Sequence, residues 1–120
     1  MDVKESYGLV ANEFLKLGEK LNTPDTGELQ TFIENFEEKI KSCSIGNKDL
    51  EDGVLLNIDT IRIMIRRYNN NEGDDWLGYA KKSANFFGNY YLEKFIKEFQ
   101  RFCNICNKRC YVTIQLFALW

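Results

Sequence analysis

Apolar residues recur along this chain at helical spacing. Tyr7, Val10, Phe14, Leu17 and Leu21 are separated by 3, 4, 3 and 4 positions, which lays one apolar stripe along a helix. Lys4, Glu5, Glu13, Lys16, Glu19 and Lys20 are expected largely off that stripe. Gly8 and Gly18 weaken this helix somewhat. Asn22 to Thr26 reads as a turn. Thr23 can cap the next helix with Pro24 at its first position, where a missing N–H costs nothing; Asp25 with Glu28 is a competing cap. Leu29, Phe32, Ile33, Phe36, Ile40 and Cys43 then mark a second stripe.

Residues 44–49 form a polar loop, and Asp49 is the expected cap of a third helix. Val54, Ile58, Ile61, Ile65 and Tyr68 carry its stripe. Ile61, Ile63 and Ile65 also alternate with Arg62 and Met64, which suits a strand. The pattern runs for about four turns, and that length favours the helix. Asn69 to Asp75 is a loop by composition, and Asp74 or Asp75 starts the next helix at Trp76. Gly88 breaks or kinks that long pattern. Beyond it Leu92, Phe95, Phe99, Phe102 and Cys106 repeat at 3, 4, 3 and 4, with Phe87 also suited to a core. The tail, Tyr111 to Trp120, has no charge. Its alternation fits a short strand or a last apolar helix, and burial in its own core or in a partner is expected.

These stripes and short loops predict an all-α fold, an antiparallel four- to five-helix bundle forming one domain over 1–120. With 120 residues, 44% hydrophobic and 28% charged, the chain has the composition of an ordinary globular protein. No apolar h-region follows the first residues and no apolar run nears the roughly 20 residues of a membrane span. The expectation is therefore a cytoplasmic protein with no membrane span and reduced cysteines.

Charge changes this picture more than composition does. Residues 1–60 hold 13 acids and 6 bases, whereas residues 61–120 hold 5 acids and 10 bases; 13 of the 17 aromatics also lie in the second half. An acidic and a basic face on one molecule steer encounters and set orientation. The candidate partner-binding residues are therefore Arg62, Arg66, Arg67, Trp76, Tyr79, Lys94, Lys97, Arg101 and Trp120, of the types that dominate interface energetics.

Candidate chemistry is thin. Cys103, Cys106 and Cys110 begin like a zinc knuckle. The chain has no histidine and no second C-x2-C, so these positions read as small hydrophobes at i, i+3 and i+7 of one helix. Without histidine the commonest general base is missing, and neither a phosphate loop nor a dinucleotide fingerprint occurs. The expectation is no enzyme, no metal, no cofactor and no small-molecule substrate. The leading function is a small protein-binding module, an adaptor or inhibitor, with self-association through the apolar tail as a secondary form. Its richness in asparagine, lysine and isoleucine suits a low-GC genome, and a viral or phage antagonist of host factors is a narrower version of the same reading. The alternative is a nucleic-acid-binding protein using the basic, aromatic second half.

Overall fold

A computed structural model of the chain describes residues 3–23, 25–42 and 47–106. They form four helices: α1 (Val3–Lys20), α2 (Thr26–Ser42), α3 (Lys48–Asn69) and α4 (Trp76–Cys106). No strand occurs among the described residues, and none of their helices is long and apolar enough to cross a membrane. The tail with Trp120, Cys43, Cys110, the Pro24 cap and the side chains of Phe102, Cys103 and Cys106 lie outside what is described.

Each helix packs on two neighbours, in the ring α1–α2–α3–α4–α1. Contacting residues run in opposite order along α1–α2, α1–α4 and α3–α4, which also sets α2 antiparallel to α3. On α1 and α2, Phe14 meets Phe36 and Lys20 meets Glu28. On α2 and α3, Glu37 pairs with Arg62. On α3 and α4, Asn57 meets Tyr91 and Met64 meets Ser83. The bundle is therefore up-down-up-down, as short loops require. It measures 54 × 28 × 19 Å.

The predicted stripes build the core. Val10, Phe14, Leu17, Leu21, Leu29, Ile33, Phe36, Ile40, Val54, Ile58, Ile61 and Ile65 are all buried. Phe14 is the hub, edge-on to Phe36 at 4.9 Å and stacked on Tyr91 at 5.8 Å between ring centroids. The helical period of residues 54–65 prevails over the β-branched alternation, because Ile58, Ile61 and Ile65 share one face while Ile63 points to solvent. One expectation fails at Glu13, which is 3% exposed. It lies where α1 meets α2, and Lys39 Nζ donates to its carboxylate at 3.1 Å.

Of the expectations for helix ends and breaks, one of the two competing α2 caps is borne out and two others are corrected. Asp25 caps α2, its carboxylate accepting from the Glu28 N–H at 3.1 Å. Asn47 rather than Asp49 caps α3, accepting from the Leu50 N–H at 3.1 Å; the helix begins two residues earlier and leaves Asp49 in its first turn, where an acid suits the dipole. Helix α4 passes Gly88 unbroken. That glycine serves close packing instead. A Cβ there would lie 2.6 Å from Leu15 Cδ2 and 3.2 Å from the Leu15 nitrogen, and one on Gly8 would lie 2.9 Å from Phe95. A glycine on each helix, facing a large side chain of the other, lets α1 and α4 approach closely enough to share the most extensive interface in the bundle. Helix α3 closes with Asn71 at φ 55°. The Asn71 and Glu72 N–H groups donate back to Tyr68 and Arg67, a Schellman stop in which asparagine replaces the usual glycine.

Candidate interaction surface

Helices α3 and α4 meet along a seam marked by Asn57 with Tyr91, Met64 with Ser83 and Arg67 with Trp76. Along the outer side of that seam, each helix carries a mostly exposed stripe. On α3 it runs through Leu56, Thr60, Ile63 and Arg67; on α4 it runs through Tyr79, Ser83, Phe86 and Tyr90. Both repeat at 4, 3 and 4, so each stripe keeps to one side of its helix. Leu56 and Phe86 are each 66% exposed, and Ile63 and Tyr90 each 46%. The register of the seam sets Leu56 level with Tyr90 and Phe86 beside Thr60 and Ile63. Together they form one apolar patch on the outer face of the two helices.

The exposed rings are held in place from behind. Phe86 sets its ring edge against Phe87 at 5.8 Å, and Tyr90 against Tyr91 at 5.1 Å. Phe87 and Tyr91 in turn pack on Phe14. Tyr91 is 4% exposed; its hydroxyl accepts from Asn57 at 2.8 Å, and burial pushes its pKa up to about 12. The patch is thus backed by the core rather than by a loop, so its rings lose little further freedom on binding.

Charged residues frame the patch. At one end Arg67 lies over the Trp76 ring at 4.6 Å, and Tyr79 meets that ring edge-on at 5.4 Å. The Tyr79 hydroxyl donates to Asp74 at 2.6 Å. This bond raises the Tyr79 pKa and lowers that of Asp74, whose backbone sits at φ 129°. Trp76 is half-buried, and its indole N–H has no hydrogen-bond partner. At the other end Lys94 covers Tyr90 at 5.4 Å and Lys97 pairs with Glu93 at 3.0 Å. Arg101 is exposed one turn further on.

The structure does not gather the sequence-predicted partner residues into one site. Arg67, Trp76 and Tyr79 come together, and Lys94, Lys97 and Arg101 share the far half of α4. Arg62 and Arg66 instead face α2. There they line a cleft of about 270 Å³ with Gln30, Ile33, Glu34, Ile65 and Asn69, and Arg62 is engaged by Glu37 and Asp59. Leu56, Ile63 and Phe86 escaped sequence reasoning. Their signal was present in the doublets Leu55-Leu56, Phe86-Phe87 and Tyr90-Tyr91. Consecutive helical residues point about 100° apart, so a doublet of large side chains exceeds what one narrow stripe can bury.

Among the described residues no cluster of three acids or cysteines is placed to hold a metal ion. No protein-family model, curated protein or solved structure matches the chain.

Proposed function

We propose that this chain is a protein-binding module, an adaptor or inhibitor working in the cytoplasm, and that it docks through the outer face of α3 and α4. The observation that carries this reading is the pair Leu56 and Phe86, large apolar side chains two-thirds exposed on adjacent helices. Scattered exposed apolar residues are normal on a monomer, whereas a contiguous, charge-rimmed patch marks an interaction surface. Aromatic rings anchored from behind, with arginine nearby, are the usual composition of an energetic hot spot.

A nucleic-acid surface has less support. Arg62 faces α2 and is neutralised by two acids, and Lys97 is paired with Glu93, so the bases of the second half present no single stripe to a phosphate backbone.

The test is affinity purification from native cells with three variants. Leu56→Asp and Phe86→Asp should each lose the proteins that the parent retains, at unchanged melting temperature. Lys41→Glu, on the exposed side of α2, should retain them. Identical captured sets for all four proteins would refute the reading.

A further inference from the structure

The charges around the patch say which partner fits it. Along α3 the outward stripe begins with an acid, Asp49, and ends with a base, Arg67. Helix α4 runs the other way beside it. Its outward stripe begins at Asp75, next to the Arg67 end, and finishes, beyond the Glu93–Lys97 ion pair, with Arg101, next to the Asp49 end. The face is therefore a checkerboard, acid diagonal to acid and base diagonal to base, around an uncharged centre of Leu56, Ile63, Phe86 and Tyr90.

Such a pattern is its own complement. A two-fold axis lying in the plane of the face and crossing the helices between Asp59 and Thr60 sets α3 antiparallel on α3 of a second copy. Leu56 then opposes Ile63. The seam pairs Asn57 with Tyr91 and Met64 with Ser83, so this level on α3 corresponds to Gly88 on α4. The same axis thus opposes Phe86 to Tyr90. At the rim it sets Arg67 opposite Asp52, which Lys48 of its own chain also pairs, with Asp49 one turn away, and Arg101 opposite Asp75. Every off-axis contact occurs twice, as an isologous interface requires. The axis along the helices also sets acids against bases, so self-complementarity belongs to the face rather than to one orientation.

The four central residues are between 46% and 66% exposed, and a second copy seated on the face would cover all four. Resting on the docking face proposed above, we infer that its partner is a second copy of this chain, bound about a two-fold axis through the outer face of α3 and α4.

Light scattering over micromolar to near-millimolar protein tests this. The parent should reach twice the 14.1 kDa chain mass. Phe86→Asp and Leu56→Asp should remain at the single-chain mass. Asp49→Lys should weaken the dimer about tenfold or more, because either in-plane axis brings residue 49 near bases. A parent that keeps the single-chain mass throughout overturns the dimer. So does a dimer indifferent to all three variants. Loss of a heterologous partner on Phe86→Asp from a protein that stays monomeric would overturn the second copy and leave the docking face standing.

Discussion

Tyr91 shows how one side chain ties the core to the surface. Its ring stacks on Phe14, its hydroxyl accepts from Asn57, and Tyr90 leans on its edge. Burial is the chief reason its pKa rises from 10 to about 12. A raised pKa means that the folded state holds the phenolic proton more tightly than the unfolded chain does. Stability from this group is full below pH 10 and falls as pH climbs toward 12, by about 2–3 kcal/mol. Thermal melts should decline over that window. In Tyr91→Phe the decline should be shallower, with a pH-independent loss of about 1 kcal/mol for the Asn57 bond. Equal slopes for both proteins would show that Tyr91 does not titrate as described. Glu13 carries a related lesson. From the sequence it belonged among the charged residues beside the stripe. Its burial follows from the arrival of α2 with Lys39, which the residues around Glu13 do not announce.

At the scale of elements, glycine separates what was legible from what was not. The stripes of α1 to α3 could be read directly, since buried positions at 3- and 4-residue spacing have few alternatives. Gly88 could not. Its local meaning is helix weakness, and its tertiary meaning is contact with Leu15 across α1 and α4. Gly53, in the interior of α3, has nothing within 4 Å of the Cβ it lacks. The two sites should therefore respond oppositely to alanine. Gly53→Ala should stabilise by about 0.5–1 kcal/mol through helix propensity alone. Gly88→Ala should destabilise by about 1–2 kcal/mol, because overpacking against Leu15 exceeds that gain. Urea unfolding of both variants checks this, and equal stabilisation would contradict the tight α1–α4 approach. The α2 cap stayed open between two residues and the α3 cap went astray for a smaller reason. Thr23 and Asp25, or Asn47 and Asp49, are equally competent caps two residues apart, and the choice depends on how the loop enters the bundle.

For the whole molecule, the lopsided charge of the sequence becomes a bundle in which α2 and the N-terminal half of α3 are acidic, α4 and the C-terminal half of α3 are basic, and α1, with three acids and three bases, is neutral. Much of that charge is spent internally, in Glu37 with Arg62 and Glu13 with Lys39. The docking face owes more to the apolar patch than to the imbalance that drew attention first. It was invisible as a face because its halves come from segments some thirty residues apart, aligned only by the α3–α4 register. That face is proposed to bind a second copy of the chain. Backbone amide chemical shifts recorded while the protein is concentrated from micromolar to near-millimolar test it most directly. The account predicts progressive shifts centred on Leu56, Ile63, Phe86 and Tyr90, with the exposed sides of α1 and α2 unchanged. Shifts centred on α1 and α2, or none anywhere, would contradict it.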